Sequence, residues 1–513
     1  MSRIKYLIFL LCLYFFIQSC YSQKTKYILP KPVIIELNRL DEAYQILDQF
    51  SKSVWESWDD YMNYPFLFTF QNGLRVLVGH PLPPSAFVPY PDFTVHGRTV
   101  YIDTTNLNNF KVKQPFLCGG GPLSYGTYNN KPITVVLIPC YQPGSGQISD
   151  SLNLTGENHV LVFIHELMHC TQSKIMPFKY GNLRINPDLN IALFGDIEGK
   201  ALEKAFMQSS YEASVPYLKD FCTARTLKFK DFSKSEKNSS SWQEFSEGEA
   251  EYAEVIILQN IKNGFISSPS IKDDTGYSRF RNLDVYMAKY LNKLKKASGT
   301  SLNITDKFYW YGCFEALLLQ RYFPGWQKEI EDGKWLDQIF TERLNITSKD
   351  SLSSLQRFQK IYSIDSLKSK HEAMLASRDS TYKMFSEMKG RTYIIDMKPI
   401  SQFLIDVINK DAKYYNLGGM YMYPEGIGNI RFAGISLSFE PVPTEVNQIY
   451  YVKVVDENFA KRSEPFKINY ESKDDNGFYY NVTINTPLFI LKAPKITIIE
   501  SSNRIKFVIH SRV

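Results

Sequence analysis

The pattern of apolar and polar positions divides the chain near residue 390, with helical spacing ahead of it and short alternating segments behind it. The stretch Asn158 to Gln172 (NHVLVFIHELMHCTQ) is apolar on nearly every face, through Val160, Leu161, Val162, Phe163, Ile164, Leu167 and Met168. A helix of that kind is buried. Leu40, Ala43, Leu47 and Phe50 recur at helical spacing and predict a helix over Leu40 to Tyr61. Phe66 to Gln71 and Leu74 to Gly79 then read as two strands joined at Asn72-Gly73, a strong hairpin signal. A proline-rich turn (Pro81, Pro83, Pro84) leads to another strand near Thr99 to Asp103. Pro132 to Pro139 (PITVVLIP) is a short apolar strand with proline at both ends, which suits a sheet edge. At an edge it could pair with an extended peptide by strand addition; the alternative is an ordinary core strand.

Farther along, helices are expected at Asp196 to Ser209, Ser241 to Asn263 and Phe308 to Tyr322, and Gly390 supplies a break. From Arg391 the segments alternate, as in Gln448 to Val454, Phe478 to Ile484 and Lys495 to Ile499, and predict an all-β domain. The expected class is therefore α+β. A leader at 1–19 precedes an α/β part at 20–155, a helical part at 156–390 and a β domain at 391–513.

Length and composition agree. At 513 residues the chain is too long for one core, and 44% hydrophobic with 15% aromatic residues is a globular composition. The net charge of +6 is spread without basic runs, which points away from a nucleic-acid partner. Arg3 and Lys5 precede an apolar run, Tyr6 to Ile17, of signal-peptide length and too short to span a bilayer. Ile17-Gln18-Ser19-Cys20 looks like a bacterial lipobox, although Gln18 is unusual there; it predicts an exported protein held at the membrane by lipid on Cys20. Cleavage after Ser22 is the alternative. Beyond Cys12 and Cys20 there remain Cys118, Cys140, Cys170, Cys222 and Cys313, with no CxxC spacing. Cys118 and Cys140 could bridge in an oxidising compartment, and Cys170 reads as a small buried hydrophobe.

The chemistry centres on His165-Glu166-Leu167-Met168-His169. Histidines at i and i+4 share a helix face, so both imidazoles reach one ion. Glu166 lies roughly 100° around the helix, able to touch a metal-bound water. Burying this trio is costly unless a divalent metal pairs with it. Chance would produce HExxH in about one in two hundred chains with so few histidines. Two later helices offer a third ligand. Glu247 opens EGEAEY, where Glu251, one turn on, could accept the free N–H of a ligand histidine. Glu198, in IEGKALEKAF, faces inward and is the alternative ligand, but Leu202 at i+4 gives it no such support. The plainer reading of Glu247, Glu251 and Glu254 is a solvated acidic face.

HELMH followed by EGEAEY resembles the gluzincin class of zinc metallopeptidases. The DIEGKALEKAF, YWYG and GRTYIIDM segments are similar to an uncharacterised exported bacterial branch of that class, over about Tyr64 to Pro443. The resemblance implies a zincin-like domain with zinc on His165, His169 and Glu247 and Glu166 as general base toward a peptide or protein substrate. It also brings Tyr309 and Tyr311 forward as oxyanion donors, against their plainer reading as core aromatics. The chain departs from the class in a long gap between His169 and Glu247 and in Glu251 where aspartate is usual. A cell-surface binding lipoprotein on a peptidase-like fold is the competing function, and an intact Glu166 favours the enzyme.

Overall fold

The structure is a computed structural model describing residues 28–70, 74–103, 117–118, 121–128, 131–141, 155–176, 187–280, 283–298 and 305–387, and, toward the C-terminus, 391–397, 404–407, 430–432, 435–441, 450–456, 466–485, 489–501 and 504–510. The leader, Cys20 and the Asn72-Gly73 turn lie outside the described residues. No helix among the described residues is long and apolar enough to cross a membrane.

Helix α1 (Lys31–Val54) opens with proline in its first turn, where a missing N–H costs nothing. It buries Val33, Leu37, Leu40, Ala43, Tyr44 and Leu47, and it starts and ends earlier than the spacing predicts because Trp55 is already extended. Strands β1 (Phe66–Phe70) and β2 (Arg75–Val78) form the expected antiparallel pair, with Phe66 opposite Val78. The strands β3 (Phe87–Val95), β4 (Arg98–Asp103), β5 (Leu117–Cys118), β6 (Gly121–Tyr128) and β7 (Lys131–Tyr141) complete a mixed seven-stranded sheet, ordered β3-β4-β2-β1-β7-β5 with β6 also on β7. Strand β3 carries Pro89 and Pro91, which hid it in the sequence; its place at the sheet edge tolerates them.

The edge position expected for Pro132 to Pro139 is corrected. Strand β7 is interior, parallel to β1 on one side and antiparallel to β6 and β5 on the other. The described β6 pairing reaches Leu137 and the described β5 pairing begins at Cys140, while Pro132 stands opposite Thr127 next to a bulge. Cys118 and Cys140 stand opposite each other in that ladder. Among the described residues the edge beside the histidine helix is β6.

The helices follow: α2 (Gly156–Ile175), α3 (Leu189–Phe206), α4 (Tyr211–Lys228), α5 (Lys234–Lys262), α6 (Leu283–Ala297), α7 (Thr305–Tyr322), α8 (Trp326–Glu331), α9 (Leu336–Arg343), α10 (Ser348–Tyr362) and α11 (Ile364–Glu387). Thr155 caps α2 by accepting from the Asn158 N–H, and Ser233 with Glu236 forms a capping box on α5. One hydrophobic core extends from Leu29 to Leu367, so the sheet and the helices form a single body. Two glycines decide how α5 crosses α7. A Cβ on Gly248 would run into Gly312, and one on Gly312 would run into the Glu244 carbonyl. The close crossing brings Tyr309, one turn before Gly312, against Glu247, next to Gly248.

Past α11 the described residues are strands: β8 (Arg391–Met397), β9 (Leu404–Val407), β10 (Ile430–Phe432), β11 (Ile435–Pro441), β12 (Tyr450–Asp456), β13 (Lys467–Asn469), β14 (Ser472–Lys473), β15 (Tyr479–Asn485), β16 (Phe489–Ser501) and β17 (Arg504–Ile509). They form a second, ten-stranded sheet, antiparallel except where β8 runs parallel to β17. The fold is mixed α+β.

Candidate metal centre

Helix α2 presents His165 and His169 on one face, with ring centroids 4.8 Å apart and the rings nearly perpendicular. Helix α5 packs across it and brings Glu247 to both. The Glu247 Oε2 atom lies 3.9 Å from His165 Nε2 and 3.5 Å from His169 Nε2. Tetrahedral zinc with bonds of about 2.0–2.1 Å holds its ligand atoms roughly 3.4 Å apart, so this spacing fits an ion. These three residues could hold a metal ion; their donor atoms all lie within 4.8 Å of one another. The Glu247 side chain keeps 21% of its surface exposed, which leaves the centre open on one side.

The other ring nitrogens are tied down. His165 Nδ1 lies 3.0 Å from Glu254 Oε1, and the second Glu254 oxygen accepts from the Tyr290 hydroxyl. His169 Nδ1 lies 2.9 Å from Gln172 Oε1, while the Gln172 amide donates to the carbonyls of Phe245 (3.3 Å) and Ser246 (2.7 Å). Because Gln172 donates through its nitrogen, its oxygen must accept, which puts the proton on His169 Nδ1. Glu254 sets the same tautomer in His165. Both Nε2 lone pairs then face Glu247, as metal ligation requires.

The role expected of Glu251 falls instead to Glu254. Helix α5 crosses α2 so that His165 Nδ1 meets the side chain two turns after Glu247, and Glu251 comes to lie beside that pair. Burial, with the Glu254 charge adding to it, pushes the Glu251 carboxyl up to about 8. Gln172 and Tyr290 were not anticipated. Gln172 was findable three residues after His169 on the same helix face; Tyr290 had no local signal.

Burial also raises the Glu166 carboxyl, and it outweighs the pull of His169 and His165. Among the described residues nothing hydrogen-bonds to its buried Oε2. Glu247 goes the other way. Burial would raise it, but His169 and His165 hold it well below the usual carboxylate range. Burial would lower both histidines, yet hydrogen bonds and charge from the surrounding glutamates raise them. A metal binding here therefore displaces protons.

The two tyrosines part company. Tyr309 stacks on His165 at a centroid distance of 6.3 Å, and burial with the nearby Glu247 charge holds its hydroxyl well above the usual tyrosine range. Tyr311 is buried in the core and donates to the carbonyls of Gly195 (2.8 Å) and Ala297 (3.3 Å), in space that Gly199 leaves free. As an oxyanion candidate Tyr311 is corrected. The alternative ligand Glu198 is likewise engaged elsewhere, accepting from Arg225 Nε at 2.7 Å and Lys228 Nζ at 2.5 Å. Its inward direction, read correctly from the sequence, serves buried cations and not the histidines. No protein-family model, curated protein or solved structure matches the chain.

Proposed function

We propose that the protein is an exported, lipid-anchored zinc metallopeptidase of the gluzincin kind, hydrolysing peptide bonds. The observation that carries this reading is a pair of imidazoles with pinned Nδ1 atoms, sharing Glu247 beside a base whose one oxygen is unpartnered. His165, His169 and Glu247 would hold the ion. Zinc bound there would supply a water ionised near pH 7 and a Lewis acid for the scissile carbonyl.

Glu166 takes the proton of the attacking water at Oε2 and delivers one to the leaving amine; its raised pKa suits both transfers. Tyr309, stacked on His165 beside the centre, donates its hydroxyl to the developing oxyanion. Gln172 and Glu254 hold the rings in place. The β6 edge beside α2 offers backbone groups on which an extended peptide adds as a strand.

The test joins metal analysis with an assay on a mixed peptide library. The purified protein should carry one zinc, lost in His165→Ala. Glu166→Gln should keep the zinc and lose at least a hundredfold in rate, about 2.7 kcal/mol of barrier. A wild type that binds zinc and cleaves nothing would establish the binding-lipoprotein reading instead. A Glu166→Gln variant as fast as wild type would remove Glu166 as the base.

A further inference from the structure

Away from the histidines, α3 and α11 pack in opposite directions around a buried polar contact. Asp196 accepts from Lys307 Nζ at 2.6 Å and meets His371 Nε2 at 2.8 Å. One turn along α3 from that contact the two helices part, and a cavity of about 450 Å³ opens between them. Lys200 and Lys204 line it from α3 and Lys370 from α11, with Ser363 and Ser366 contributing hydroxyls. One acid, Glu203, shares the lining, and its carboxylate lies 3.8 Å from Lys295, outside the cavity.

Among the described residues none of these three ammonium groups has a carboxylate partner. Other half-buried lysines of the protein are engaged. Lys219 meets Asp350 at 2.6 Å, Lys334 meets Glu329 at 2.9 Å, and Lys293 sits over the Trp310 ring at 5.7 Å. Lys200 and Lys204 are also half-buried, and their i,i+4 spacing places like charges side by side, which destabilises a helix unless something offsets it. Lys370 adds a third positive charge from the facing helix. Three unmatched ammonium groups and two hydroxyls around one concavity are the donor set of an oxyanion site.

We propose that this cavity binds a phosphate monoester, its phosphate on Lys200, Lys204 and Lys370. The volume lies within the range of small-molecule sites and exceeds what bare phosphate fills. Ile361 and Leu367, the apolar part of the lining, receive the organic portion of the ester. The ester comes either from a soluble metabolite or from a lipid headgroup. The proposal does not depend on the metal centre, with which it shares no residue.

Titration of the full-length protein with glycerol 3-phosphate at low salt, read by calorimetry, tests the soluble source. Co-sedimentation with phosphatidylcholine vesicles, with and without phosphatidic acid, tests the lipid source through the increment that phosphatidic acid adds. Lys204→Gln should weaken binding about tenfold, and the triple change of Lys200, Lys204 and Lys370 to Gln at least a hundredfold. Lys368→Gln, on the same helix outside the cavity, should leave it unchanged. An unshifted melting temperature of each variant without ligand establishes that it folds. Binding to either probe that disappears in the triple variant supports the site and identifies its source. Absence of binding to both probes, or binding that the triple variant retains, overturns the proposal.

Discussion

Helix α5 contributes to two sets of carboxylates that meet different partners. On one side Glu244 joins Glu198 and Glu315 around Arg225 and Lys228, with Arg225 bonded to all three acids. On the other, a turn away, Glu247 and Glu254 meet His165 and His169. A guanidinium keeps its proton under any physiological condition, so the first set is a permanent structural cluster. An imidazole can exchange its proton for a metal ion, so the second set could hold one. What separates scaffold from chemistry here is the titratability of the partner, since both sets consist of glutamates.

The sharpest way to break this comparison is to remove the fixed cation. Arg225→Met leaves Glu198 and Glu244 with Lys228 alone, and loss of one member of a buried charge cluster costs about 3 to 5 kcal/mol. Urea denaturation at pH 7 should show that loss, while the fraction that folds still binds zinc. Unchanged stability would mean that the cluster is solvated and not structural.

Next in size is the ligand itself. Glu247→Ala removes one of three donors and should lower zinc affinity more than a hundredfold, whereas Glu198→Gln should leave it unchanged, as measured by competition with a chelating dye. Equal affinity in both variants would erase the distinction between the two sets.

How much of this was legible in the chain follows from the range of the signals. The α2 helix, the histidine pair, Glu166 and the hairpin of β1 and β2 depend on neighbours within a few residues, and the structure has them where the spacing puts them. Strand β7 was read correctly as a strand, with edge and core left open, and only the long-range pairing of β5 and β6 on its second side makes it interior. The choice between Glu247 and Glu198 turned on Arg225 and Lys228, in a helix that the hydrophobic pattern did not single out. Tyr309 and Tyr311 looked equivalent in YWYG, and only the Gly248 and Gly312 crossing separates them. Glu254 and Glu251 differ by which turn of α5 meets α2, and a crossing angle leaves no mark in local sequence.

That last pair can be resolved by experiment. A group that orients a ligand histidine is typically worth 10- to 100-fold in metal affinity. Glu254→Ala and Gln172→Ala should each fall in that range, and Glu251→Ala below it, by zinc competition. If Glu251→Ala has the larger effect, the original assignment stands and the hydrogen bond from His165 to Glu254 is incidental.

Glu249 completes the comparison, because it has neither kind of partner. It lies on α5 two residues past Glu247, is fully buried, and neither carboxylate oxygen finds a hydrogen bond among the described residues. With no cation and no imidazole to meet, it keeps its own proton; burial raises its pKa well above the ordinary 4.5. The sign of the pH effect follows. Above about pH 4.5 the unfolded chain releases this proton while the folded chain retains it, so stability falls as pH rises through that window. Glu249→Met keeps the volume and removes the titration. Its advantage over wild type in unfolding free energy, from urea denaturation, should therefore grow steadily from pH 4 to pH 8. Effects of the histidines appear in both proteins and cancel in the difference. A gap that stays constant with pH would show that Glu249 does not change protonation on unfolding, and α5 would then hold two kinds of buried acid and not three.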